Sequence, residues 1–85
     1  MSAAQAIEQL KQHVPAVSGA VVVVRIGDFY EAFGDDAVRL SEIYGLTLTS
    51  RYAVPMAGFP YGCLDRVERE LLRKGVPLIK VDAVY

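Results

Sequence analysis

Ala20-Val-Val-Val-Val-Arg-Ile26 is the stretch that decides the fold. A strand with one wet face alternates apolar and polar residues. A nearly unbroken β-branched run instead suits a strand covered on both faces, in a central or parallel position. Gly27-Asp28 breaks the run. Upstream, Ser18-Gly19 is a turn, and Val14-Pro15 ends a first helix, because the residue before proline avoids the helical region. That helix runs from about Ala3 to His13, with Ser2 as cap and Ala6, Ile7 and Leu10 on one face. Downstream, Asp35 or Asp36 caps a second helix over about Asp36–Tyr44, with Ala37, Leu40 and Tyr44 inward and Gly45 as its C′ residue. Leu46–Ser50 alternates as a strand with one wet face. Pro55–Pro60 is an irregular, proline-bounded segment with room for a short strand. Leu64–Lys74 is a third helix with Leu64, Val67, Leu71 and Leu72 inward, stopped by Gly75. Val76–Val81 closes the chain as a strand that Pro77 assigns to an edge or to a strand start. The order α-β-α-β-(β)-α-β predicts an α/β fold, a mixed β-sheet of about four to six strands packed with three helices.

Eighty-five residues make one small domain, residues 1–85, that buries roughly 60–65% of its extended-chain surface. This excludes a complete multi-domain enzyme or motor. A hydrophobic fraction of 53% with 22% charged residues is globular composition. Nine bases against ten acids leave a net charge of −1. A domain that holds nucleic acid by bulk charge is clearly basic, so any nucleic-acid contact here is expected to be local, shape-based or assisted by a partner. One cysteine, Cys63, excludes an internal disulfide and a cysteine-rich zinc site. Met1–Val14 carries Gln, Glu, Lys and His and is no signal peptide. The longest apolar run, Ala20–Val24, is far short of the ~20 residues that span a bilayer. A cytoplasmic setting with no membrane partner is expected.

Arg25-Ile-Gly-Asp-Phe-Tyr-Glu-Ala-Phe-Gly-Asp-Asp36 is the most unusual segment. It leaves a buried strand, turns at a glycine, and presents two aromatics and a carboxylate in succession. The ring of Phe29 supplies a stacking face, and Glu31, two positions on, supplies a hydrogen-bond acceptor. In a nucleic-acid groove such a wedge enters a base step at a cost of a few kcal/mol of unstacking. A softened step costs less to open, which is itself a source of selectivity.

Gly27-Asp-Phe-Tyr-Glu-Ala-Phe33 followed by Asp35-Asp36-Ala37 resembles the mismatch-recognition motif of MutS-type DNA mismatch repair proteins. Leu46-Thr-Leu-Thr-Ser-Arg51 and Pro55-Met-Ala-Gly-Phe-Pro-Tyr61 resemble the next two segments of that family's N-terminal domain, and Leu71–Gly75 its last helix end. The likeness covers nearly the whole chain in order. It implies that Phe29 stacks on a mispaired or unpaired base from the minor groove and that Glu31 hydrogen-bonds that base. The family's clamp, lever and ATPase have no counterpart here, and no P-loop pattern occurs. Departures are Gly62 where the family has histidine, Val23 and Val24 where it has aromatics, and an Ile79-Lys-Val-Asp-Ala-Val-Tyr85 ending in place of the family's onward link. A natural terminus is the expectation from that ending, and the chain is either a stand-alone copy of the domain or a piece of a larger chain.

The expected function is therefore DNA binding without catalysis or cofactor. Phe29 and Glu31 sit at the base, and Arg51 and Arg25 are the candidates to touch phosphates. Either arginine is equally a bridge to Asp28 or Glu31. The expected partner is duplex DNA with a mismatch or unpaired base, bound weakly by the domain alone and more usefully through a dimer or a protein partner. A protein-interaction adaptor docking Phe29 is the alternative. A Mg²⁺-dependent nuclease built on Asp28, Glu31, Asp35 and Asp36 is a third, which needs those carboxylates to converge. Plainer roles are core packing for Tyr30 and Phe33, helix capping for Asp35 and Asp36, and a structural thiol for Cys63. Glu70–Lys74 is a supporting helical pair.

Overall fold

A computed structural model describes Gln5, residues 7–9, Gln12, residues 19–51 and residues 53–82, Arg51 by its backbone. Its strands are β1 (Val21–Ile26), β2 (Phe29–Phe33), β3 (Thr49–Arg51), β4 (Val54–Pro60) and β5 (Leu78–Val81). They form one mixed sheet in the order β3-β4-β2-β1-β5. β1 runs antiparallel to β2 and parallel to β5, the interior position its valine run predicts. The helices are α1 (Asp35–Tyr44) and α2 (Leu64–Arg73), and Gln5, Ile7, Glu8, Gln9 and Gln12 are also helical. The expected roles of Ser2, Ala6, Leu10, His13, Val14-Pro15 and Ser18 fall outside the described residues.

The valines divide between two layers. Val21 and Val23 join Tyr30, Ala32, Ala57 and Phe59 under the helical residues Ala37, Leu40, Val67 and Leu71. Val22 and Val24 face the other way and pack with Ile7, Phe33, Ile79 and Val81. Both faces of β1 are thus dry, which is why no polar residue interrupts Val21–Val24.

Two strands go beyond the sequence expectation. Phe29–Phe33 forms β2, because Gly27-Asp28 is a two-residue turn that sends the chain straight back, pairing Ile26 with Phe29. Gly27 has φ 61° and Asp28 does not share the positive φ, the pattern of a II′ hairpin turn. Pro55–Pro60 lies within the regular strand β4, between β3 and β2. Its prolines fall where their missing N–H has no ladder partner. The β3 ladder stops at Met56, well before Pro60. Pro55 contributes its carbonyl, which accepts the Gly34 N–H at 2.8 Å. β3 is shorter than expected and begins at Thr49, since the Leu46 carbonyl accepts the Ser41 hydroxyl at 2.7 Å and is tied to the end of α1.

Asp35 and Asp36 do not cap α1. Gly34 precedes the helix and no side chain caps it. Asp36 is instead 2% exposed, and its Oδ2 accepts the Val22 N–H at 3.1 Å. The β1–β2 ladder runs only as far as Val24 and Glu31, and Val21 N–H already bonds the Pro77 carbonyl on the β5 side. The carboxyl therefore satisfies a strand donor where β2 has turned away into the helix. Leu72, expected inward, is 57% exposed. Glu70 pairs with Arg73 at 3.7 Å rather than with Lys74, an exposed contact of little energetic weight. Gly45 (φ 80°) ends α1 as predicted, its N–H bonding the Ser41 carbonyl, and Gly75 (φ 76°) follows α2. β5 begins at Leu78, after Pro77, and is a sheet edge.

Replacing Asp36 with alanine leaves a buried N–H without its acceptor. Asp36→Ala is expected to cost about 1–3 kcal/mol and Asp36→Asn less, read as lower urea midpoints at unchanged slope. Ala53, in the β3–β4 connection, holds φ 63°, a conformation unfavourable for a residue with a Cβ. Ala53→Gly is expected to raise stability by about 0.5–1 kcal/mol in the same assay.

Candidate nucleic-acid interface

Strand alternation sorts the residues of β2. Tyr30 and Ala32 point into the helix-covered core, whereas Phe29, Glu31 and Phe33 occupy the opposite face. Their partners on that face are Ile26 and Val24 of β1 and Pro60, Gly58 and Met56 of β4. Ile7 covers the Val22–Val24 end of this face. At the hairpin tip Phe29 is 45% exposed, with Ile26 exposed beside it and Tyr61 51% exposed just beyond Pro60. Large apolar side chains gathered at one tip mark an interaction surface more than scattered ones do. Glu31 is half-buried one pair further in, its carboxylate lying over the backbone of Gly58.

The tip is held from the helix-bearing face. Arg25 shares that face with Tyr30, its register partner, and its Nε–H donates to the Gly27 carbonyl at 2.7 Å. Its guanidinium sits 4.1 Å from the centroid of the Tyr61 ring and 5.8 Å from that of Tyr30. The Tyr61 N–H donates to the Asp28 carbonyl at 2.9 Å. Both carbonyls of the turn are thereby fixed. Tyr30 packs on Phe59 at 5.8 Å between centroids, and its hydroxyl donates to Asp82 Oδ1 at 2.9 Å.

Of the four residues expected at the site, Phe29 and Glu31 are brought together on one face of the sheet. Arg25 lies on the other face, against Tyr61 and the turn, rather than bridging to Asp28 or Glu31 in the contacts above. The Arg51 backbone ends β3 at the sheet edge, and its expected phosphate contact lies outside what is described. Gly58 and Tyr61 were missed as site residues. Both lie in the Pro55–Tyr61 segment singled out from sequence, but their part in the site depends on pairing with residues 25–31. The carboxylates proposed for a nuclease disperse: Asp28 is in the turn, Glu31 on the sheet face, Asp35 exposed at the start of α1 and Asp36 buried against β1. Among the described residues no three His, Cys, Asp or Glu gather as a metal site. Lys80 pairs with Asp82 at 3.8 Å. Cys63 packs partly buried against the main core. No helix among the described residues is long and apolar enough to cross a membrane.

Arg25→Ala removes both the Gly27 hydrogen bond and the stack on Tyr61. Amide exchange at Tyr61, whose N–H holds the turn, is expected to quicken about five- to tenfold, while α1 and β1 amides change much less.

The family model described as MutS domain I matches residues 4–84 of the chain. The DNA mismatch repair protein MutS of Thermodesulfovibrio yellowstonii is 52% identical over 61 residues, covering 66% of this chain and 7% of that protein. The protein of the same name from Chlamydia pneumoniae is 45% identical over 69 residues, covering 81% of this chain and 8% of its own length. That of Porphyromonas gingivalis is 44% identical over 72 residues, covering 79% and 8%. The chain thus spans less than a tenth of the length of these relatives.

Proposed function

The chain belongs to the MutS domain I family, and from that premise we propose that it is a DNA-binding module of mismatch repair that reads a duplex by a wedge. The observation that carries the proposal is Phe29, an aromatic left 45% exposed at the tip of a braced hairpin, with Glu31 on the same face. Phe29 enters a base step from the minor groove and stacks on a mispaired or unpaired base. Glu31 accepts a hydrogen bond from that base. A well-paired step resists the wedge and a defective one yields at lower cost, so selectivity comes from the deformability of the DNA. Arg51, at the end of the edge strand, is proposed to touch phosphate. Arg25 serves the interface from behind, by fixing the turn that aims Phe29. No catalytic step and no cofactor enter this reading, and the setting proposed is cytoplasmic.

Charge sets the strength of the contact. At net −1 the domain neutralises few phosphates, so binding by the chain alone is weak and its salt dependence shallow. A dimer, or a partner or further chain that grips the duplex, supplies the rest.

The proposal is tested by fluorescence anisotropy at low salt, with labelled duplexes carrying one G·T mismatch, one unpaired base or no defect. The expected result is tighter binding to the defective duplexes, a preference that drops about tenfold or to unity in Phe29→Ala, in line with the worth of one aromatic–base stack. Equal binding to all duplexes, or a preference untouched by Phe29→Ala, overturns the wedge. Absence of binding at high micromolar protein favours a protein-docking role for the same exposed tip, or a domain that works only inside a larger assembly.

A further inference from the structure

Backbone conformation does not explain the glycine at position 58. Gly27, Gly34, Gly45 and Gly75 have positive φ and need the freedom of glycine; Gly58 does not share it. It sits inside β4 between Ala57 and Phe59, both buried, where glycine weakens a strand for lack of a side chain to pack and because it loses more chain entropy. What it provides is space. A Cβ built on Gly58 would fall on the carboxylate of Glu31, with Cδ, Oε1 and Oε2 all closer than 3.0 Å, whereas a Cβ on any of the other six glycines would meet nothing within 4 Å. Glu31 is also the register partner of Gly58 across the β2–β4 ladder, so the two positions are held opposite each other by the sheet itself.

We infer that Gly58 is a positioning residue for Glu31: the bare backbone of β4 is the bed on which the carboxylate lies, low on the sheet and beside Phe29. With any side chain at position 58 the carboxylate must lift off the sheet. The atoms that clash are the far end of a flexible side chain, so the ladder has no need to shift. Substitution therefore spares the fold and moves the acceptor. This inference rests on the reading of Glu31 as the base-contacting group, and it adds a residue whose only route to the DNA is through another.

The decisive variant is Gly58→Ala in the whole chain, compared with wild type, Glu31→Ala and the double variant. Thermal melting and binding to the matched and unpaired-base duplexes are measured for all four. Gly58→Ala is expected to melt at or above the wild-type temperature, because alanine is the better strand residue. It is expected to lose discrimination between the duplexes by up to about tenfold, the worth of one hydrogen bond to a charged group. In the Glu31→Ala background the same substitution is expected to change nothing further. Wild-type discrimination in Gly58→Ala, alongside its loss in Glu31→Ala, overturns the positioning role and leaves the wedge reading standing. An equal loss from Gly58→Ala in both backgrounds also overturns it, since the methyl group then obstructs DNA directly. If Glu31→Ala and Phe29→Ala both keep full discrimination, the reading of the site fails first and the inference with it.

Discussion

The register of β1 against β2 is the constraint on which the rest of the molecule depends. Side chains on a strand alternate, so a slip of one residue would carry Tyr30 and Ala32 out of the core and turn Phe29 and Glu31 into it. The register is fixed at both ends by different chemistry. At the tip the two-residue turn at Gly27-Asp28 leaves no slack, and Arg25 and Tyr61 hold both of its carbonyls. At the other end, where β2 departs into α1, the Asp36 carboxyl takes the Val22 N–H that no strand is left to accept. A shift in pairing would break both anchors at once. Phe29 is therefore aimed by the same contacts that stabilise the sheet.

What the sequence discloses follows from how local each signal is. The valine run declares a strand with two dry faces because four consecutive β-branched residues have no other economical place. Gly45 and Gly75 declare helix ends because left-handed backbone is a property of one residue. β2 hides, since its outward positions are filled by Phe29, Glu31 and Phe33. Aromatics on the outer face blur the alternation that would reveal a strand: Phe33 packs against Val22 and Val24 there, and Phe29 is exposed. β4 hides behind Pro55 and Pro60, which read as breakers until the ends of the neighbouring strands are known. Asp36 looks like a cap because aspartate at a helix start usually is one; its true partner lies fourteen residues back. The pairing of Glu31 with Gly58 is likewise a fact of topology, invisible until β2 and β4 are neighbours. The resemblance to a known family singled out Phe29 and Glu31, and could not say which groups hold them in place.

The hairpin tip is held by two hydrogen bonds to its turn carbonyls and by the stack of Arg25 on Tyr61. Arg25 is spent on the turn and the stack with Tyr61. A chain of net charge −1 has little bulk attraction for a phosphate backbone. A turn whose two carbonyls are both held loses little further conformational freedom on any contact.

A domain of this size is stable by only some 5–15 kcal/mol, so residues placed against stability are informative. On the helix-covered face Tyr30, Leu40, Phe59, Val67 and Leu71 are buried in the main cluster. On the opposite face Phe29 and Ile26 are left in water, and glycine stands mid-strand at position 58. Each forfeits something the fold would have gained from burial or from a better strand residue. All three fall within two neighbouring strand pairs, β1–β2 and β2–β4, at one end of the sheet. Leu48 and Leu72 are also exposed, each away from the hairpin tip, whereas Ile26, Phe29 and Tyr61 gather there; it is the gathered side chains, next to a mid-strand glycine, that mark a surface for contact.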